Sequence, residues 1–149
     1  MTKDYYNKPY DLTITIDDEE RTIKFYDANG EELIPFKDDN GYWKVRTNNM
    51  KAKSDPLQKK YYRTEAVHRL VGLQTHMNDY FRLINQIKQE IIDGIQPPLR
   101  KAGEWKSYKN ETYTDRIQVH HIDGNIDNNM PDNLELLLIR EHQAKHRKG

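Results

Sequence analysis

A chain of 149 residues is long enough for one ordinary domain, or for a small core with an appendage, and too short for two large domains. It has no cysteine, which excludes disulfides and every thiolate metal site, so any ion must be held by His, Asp, Glu or Asn. A mean hydropathy of -1.09 predicts a thin core, and the net charge of zero divides into -6 over residues 1–40 and +6 over residues 41–149, an acidic head on a basic body.

No apolar run approaches the roughly 18 residues that cross a bilayer. The opening Met1-Thr2-Lys3-Asp4-Tyr5-Tyr6 lacks the apolar stretch of a signal peptide, so a cytoplasmic location without membrane contact is expected.

The first part of the chain reads as β. Leu12 to Ile16 and Thr22 to Tyr26 alternate with period two, and Asn29-Gly30 ahead of Leu33 is a two-residue hairpin signal. Gly41 to Arg46 starts a further strand with Lys59 to Arg63 as its partner, and the polar Asn48 to Gln58 stretch is a loop. A meander of three or four strands is expected.

Thr64 then serves as a helix N-cap, with Glu65 in the first turn. Leu70, Leu73, Met77, Tyr80, Ile84, Ile87 and Ile91 recur at spacings of three and four until Gly94 and Pro97-Pro98 stop the helix. Such a stripe suits a core helix lying on the sheet, or a seam across residues 70–91 joining two copies of the chain. Beyond it, Leu99 to Thr114 has no clear period and interleaves Arg100, Lys101, Lys106 and Lys109 with Trp105, Tyr108 and Tyr113. That composition describes an exposed linker, and it also suits a surface where cations meet phosphates and rings meet bases.

The last thirty-odd residues hold four of the six histidines. Arg116 to His120 alternates like a strand, Asp123-Gly124-Asn125 is a turn, Leu134 to Leu138 is a second strand, and residues 140–148 read as a short helix. His142 and His146, four apart, project from one face of that helix and can share an ion. A strand laid beside that face brings His120 to the same ion. Adjacent strand residues point to opposite faces, so the His120-His121 pair divides into one metal ligand and one base. His68 and His76 are expected to be packing residues, and Asp123 to Asn129 to shape the loop.

Three runs, Val119-His120-His121-Ile122-Asp123-Gly124-Asn125, Asn128-Asn129-Met130-Pro131-Asp132-Asn133-Leu134 and Glu141-His142-Gln143-Ala144-Lys145-His146, resemble the HNH endonucleases of the ββα-metal superfamily. Tyr61-Tyr62-Arg63 followed by Val67-His68-Arg69-Leu70-Val71 is similar to the region upstream in phage and homing-type members. In those relatives the two parts are joined by a short loop, whereas here a helix and linker of about forty residues intervene.

The resemblance implies that His121 is the general base and Asn133 the residue that bridges the loop and orients it. It makes His120 and His142 metal ligands, with His146 matching a further ligand of the colicin-type DNases. It also implies one divalent ion (Mg, Mn, Zn or Ni), in-line attack of water on a phosphodiester of double-stranded DNA, and 5′ phosphate and 3′ hydroxyl ends. The cations expected at nucleic acid are Lys44, Arg46, Arg100, Lys101, Lys106, Lys109 and Arg147.

The expected fold is α+β: a β-rich region over residues 1–63, a long amphipathic helix over 64–94, a basic linker over 95–115 and a ββα-metal core over 116–149. Two rival readings are a catalytically silent nucleic-acid-binding module that keeps the fold, and a protein-interaction role in which the acidic head binds a protein partner or masks the basic body.

Overall fold

The computed structural model describes residues 1–48, 62–103 and 110–139, without the side chains of Asn48, Tyr62 and Arg63. The fold is α+β, with nine strands and two helices among the described residues. β1 (Thr2–Asn7), β2 (Leu12–Asp17), β3 (Thr22–Tyr26) and β4 (Glu32–Leu33) form an antiparallel meander in that order. β5 (Phe36–Lys37), β6 (Trp43–Asn48) and β7 (Tyr62–Ala66) make a second antiparallel sheet, and β8 (Ile117–His121) and β9 (Leu134–Leu138) a third.

The expected single meander is therefore two sheets. β1 lacks apolar alternation because it is an edge strand, and none of its residues is buried; Lys3 and Asp4 suit an edge that must not recruit another strand. β2 follows its pattern, burying Leu12, Ile14 and Ile16 against the core. The partner of β6 runs through Ala66, further along than the expected Lys59–Arg63 strand; Lys59 to Tyr61 lie outside the described residues.

The Asn-Gly signals mark longer loops than a two-residue turn. In Asp27–Glu31 the Asp27 carboxylate accepts the N–H groups of Asn29 and Glu31, both at 2.9 Å. In Asp38–Tyr42 the Asp38 carboxylate accepts those of Asn40 at 2.9 Å and Tyr42 at 3.0 Å. Each loop has its glycine in the left-handed region, Gly30 at φ 81° and Gly41 at φ 85°, where a side chain is disfavoured. The second loop delivers Tyr42 beside β8.

In place of one helix from Thr64 there are two, α1 (Val67–Thr75) and α2 (Met77–Ile92). Thr64 and Glu65 belong to β7, paired with Arg46 and Val45, so the sheet overrides the cap signal. The break falls at His76, with φ -104° and ψ 52°. Just before it, the Thr75 hydroxyl donates to the Val71 carbonyl at 2.7 Å, a back-bond that bends helices. The His76 ring donates from Nε2 to the Pro131 carbonyl at 2.8 Å, tying the corner between the helices to the β8–β9 loop.

The apolar stripe crosses the break and stays inside the fold. Leu70, Leu83 and Ile87 are buried in the core, and Leu73, Tyr80, Ile84 and Ile91 pack against it. These contacts give most of the stripe a core role, with Met77 left exposed, and a seam between two copies through 70–91 has no support among the described residues.

One buried cluster joins β2, β3, β6, both helices, β8 and β9. Gly72 packs tightly against it: an added Cβ there would stand 2.6 Å from Val119 Cγ1. No described helix is long and apolar enough to cross a membrane.

Candidate functional site

β8 and β9 pair with His120 opposite Glu135 and His121 opposite Leu134. Ile117, Val119 and His121 are buried while Gln118 and His120 are partly exposed. The two imidazoles therefore leave opposite faces of one strand, the division that alternation predicts.

The Ile122–Asn133 connection is wound by its own polar side chains. The Asp123 carboxylate accepts from Asn125 N–H at 2.7 Å, and the Asn125 amide oxygen from Asp127 N–H at 3.0 Å. Asn133, 7% exposed, closes the loop: its Nδ2 donates to Asp123 Oδ1 at 2.9 Å and to the Asn128 carbonyl at 3.0 Å. Its Oδ1 accepts from Asp123 N–H at 3.2 Å and its backbone carbonyl from Ile122 N–H at 2.8 Å. The N–H of Asn125 and the amide of Asn133 hold the Asp123 carboxyl below the usual carboxylate range, so Asp123 is an anion committed to the loop.

His121 is 6% exposed, and its Nε2 lies 2.7 Å from Asn129 Oδ1. An amide oxygen only accepts, so Nε2 carries the proton and the lone pair of the neutral ring sits on Nδ1. Asn129 is itself buried, at 7% exposure. The residue that touches the imidazole is thus Asn129, while Asn133 acts on the loop that carries Asn129. Sequence reasoning assigned Asn129 to loop shaping; the signal that separates it from its neighbours is the apolar Met130 beside it, which is buried with it.

The His68 ring also meets His121, with centroids 4.8 Å apart and planes tilted by 49°. Tyr42 lies on His68 at 5.6 Å. These rings border a cleft of about 380 Å³ whose lining includes Tyr42, Lys44, His68, Gln118, His120 and His121. A larger cavity of about 810 Å³ lies beyond Asn129, lined by Arg21, Phe25, Lys37, Trp43 and Met130 among others; it has no histidine, and its only acid is Asp127. The smaller cleft is the one equipped for proton transfer.

Of the expected nucleic-acid cations, Lys44 lines this cleft, with Nζ 3.8 Å from Asp38 Oδ2. Arg46 follows two residues later on the same open face of β6, opposite the buried Val45 and Thr47. Arg100 and Lys101 do not line the cleft, and Arg100 Nη2 stands 3.6 Å from Glu111 Oε2. Lys106, Lys109, His142, His146 and Arg147 lie outside the described residues. Among the described residues no three His, Asp or Glu side chains gather to hold an ion. His120 lines the cleft.

β8 is held in place from its first residue. Arg116, 8% exposed, donates to both carboxylate oxygens of Glu111, at 3.1 and 2.8 Å, to Gln96 Oε1 at 3.1 Å, and to the carbonyls of Pro97 at 2.7 Å and Pro98 at 3.1 Å. Arg69 of α1 donates to the carbonyls of Ile117 at 2.6 Å and Thr114 at 2.7 Å. The described ends of the expected linker are therefore anchored, not loose. On the far side of the loop, Lys37 and then Trp43 hold the Asp127 carboxyl below its usual range, and Arg21 does the same for Asp132.

Neither a curated protein nor a solved structure matches the chain. A family model described as HNH endonuclease matches residues 104–144, spanning β8, its loop, β9 and His142 but ending short of His146. The similarity to HNH endonucleases thus covers the C-terminal segment, residues 104–144 of the 149.

Proposed function

We propose that the chain is a metal-dependent HNH endonuclease, of phage or homing type, that hydrolyses phosphodiester bonds of double-stranded DNA. The observation that carries this reading is the Nε2–Asn129 hydrogen bond of His121, which leaves the ring's lone pair on Nδ1, inside a family match to a nuclease segment.

In the proposed reaction Nδ1 of His121 takes a proton from water as the water oxygen attacks phosphorus. The bond from phosphorus to the 3′ oxygen breaks, and that oxygen takes a proton from solvent. The products are a 5′ phosphate and a 3′ hydroxyl. Asn129 keeps the ring in the accepting tautomer, and Asn133 keeps Asn129 in place through the loop. His120, with His142 and His146, would hold one divalent ion, which when bound supplies positive charge to the phosphate and the leaving oxygen. Three imidazoles suit Zn, Ni or Mn better than Mg. Lys44 and Arg46 on the open face of β6 would take the DNA backbone.

The test is supercoiled plasmid incubated with wild type and His121→Ala across Mg, Mn, Zn and Ni, with a chelator control. Nicking by wild type that the chelator and the substitution both abolish supports the reading. Plasmid left intact by wild type under every metal, with salt-sensitive binding, gives the silent module instead.

A further inference from the structure

A single hydrogen bond at Nε2 is a weak restraint on the plane of His121. The Cβ–Cγ axis passes close to Nε2 and farther from Nδ1, so turning the ring about that axis moves the basic nitrogen more than the anchored one. A rigid ring packed against the imidazole, even at a tilt, opposes that rotation directly.

His68 is such a group. Its ring lies 4.8 Å from that of His121, tilted by 49°, and meets Tyr42 at 5.6 Å, tilted by 41°, so three rings from β8, α1 and the β5–β6 loop pack in succession. The position of His68 relative to β8 is also rigid. It occupies the second residue of α1, next to Arg69, whose guanidinium grips two carbonyls at the start of β8. One turn further on, Gly72 has no room for a Cβ against Val119.

We propose that His68 is a positioning residue of the candidate site, holding the imidazole plane of His121 so that Nδ1 keeps its direction into the cleft. This role rests on the reading of His121 as the base. It requires a flat ring at position 68 and requires no proton from it, which separates it from a direct contact between His68 and phosphate.

Wild type, His68→Ala and His68→Phe of the full chain are compared by imidazole ¹H–¹⁵N spectra and by steady-state nicking of plasmid. Wild type is expected to show His121 as one Nε2–H tautomer with a single sharp set of ring signals, His68→Ala to keep that tautomer but broaden the set as the ring swings about its hydrogen bond to Asn129, and His68→Phe to restore the sharp form. His68→Ala should lose about tenfold in kcat with KM unchanged, the scale of one aromatic contact, and His68→Phe should stay within about twofold of wild type.

Spectra and kcat unchanged in the alanine variant overturn the proposal, and so does a phenylalanine variant no better than alanine. Melting curves identify a variant that has lost its fold; if alanine does, His68→Leu against His68→Phe makes the same comparison of ring with no ring. A wild type that cuts nothing overturns the nuclease reading, and the ring spectra then decide the role of His68.

Discussion

The contact between His121 and Asn129 joins two buried polar groups that have little else to satisfy them, so removing one side has consequences for both stability and chemistry. Asn129→Ala leaves His121 Nε2 without its acceptor, which should destabilise the fold by about 1–3 kcal/mol. With the tautomer no longer set, nicking should fall by about 10–100-fold, the usual cost of losing a partner that orients a catalytic imidazole. Denaturant melts and kcat of the same variant check both parts. Arg116 and Glu111 form the other residue-scale anchor. Glu111 titrates at about 2, down from 4.5, chiefly through its hydrogen bonds to Arg116. A depressed folded-state pKa contributes stability that is complete above the unfolded value and is lost as pH falls from about 4.5 through about 2. The urea midpoint of wild type should therefore drop more steeply across that window than that of Glu111→Gln, and parallel curves would count against the pair. Arg116→Ala, which leaves Glu111 with Arg100 alone and removes the donor to two proline carbonyls, should cost about 3 kcal/mol near neutral pH. Strand alternation made the division of His120 and His121 legible in the sequence, while Asn133 was singled out by the family resemblance alone. His68 was not legible, because what distinguishes it is a contact made by tertiary folding, and Asn129 was marked only by the apolar Met130 beside it. Nothing in the run around His68 announces a ring 53 positions further on.

At the scale of elements, period-two alternation identified β2, β3 and β8 because each has one face on the core and one toward solvent. The helix stripe misled for a related reason. Leu70 and Leu73 before the break, and Tyr80, Ile84 and Ile87 after it, all turn toward the same core, so a heptad persists although the backbone does not. Thr64 failed as a cap because β7 was still pairing with β6 at that point, and long-range pairing outweighs a local capping preference of about 1 kcal/mol. What places α1 against the site strand is Gly72 on Val119. Gly72→Ala would ordinarily favour a helix interior, but here the methyl group would meet Val119 Cγ1 at 2.6 Å. Overpacking should win, giving a net loss of about 1–3 kcal/mol. Relieving the clash from the other side, Gly72→Ala combined with Val119→Ala should recover part of that loss. Chemical denaturation of the single and double variants measures the coupling, and additive losses would show that the two residues do not share the contact.

Across the whole molecule, the charge divides along the chain, yet the links between its two parts run against that division. The acidic head meets the β8–β9 loop through its own cations: Arg21 grips Asp132 at 3.1 Å on both oxygens, and Lys37 reaches Asp127 at 3.1 Å beside the Trp43 indole, which donates to the same carboxylate at 3.0 Å. Exposed pairs of this kind contribute little to stability, but they set which surfaces face each other. Asp18, Glu19 and Glu20 lie exposed at the β2–β3 turn and do not line the cleft, whereas Lys44 lines it and Arg46 follows on β6. A polyanion should therefore be steered toward β6 and repelled from the β2–β3 turn. If Lys44 and Arg46 each meet a phosphate, replacing both by alanine should weaken binding of duplex DNA and reduce the slope of log K against log salt by about 1.8, roughly 0.9 for each phosphate no longer neutralised. Replacing Asp18, Glu19 and Glu20 by their amides changes the far field alone, so it should raise the association rate at low salt and leave the salt slope close to that of wild type. A head that masked the cations by contact would behave differently: neutralising those three acids would then tighten binding and steepen the slope by freeing cations for phosphate. Titrations of one duplex at several salt concentrations separate the two outcomes.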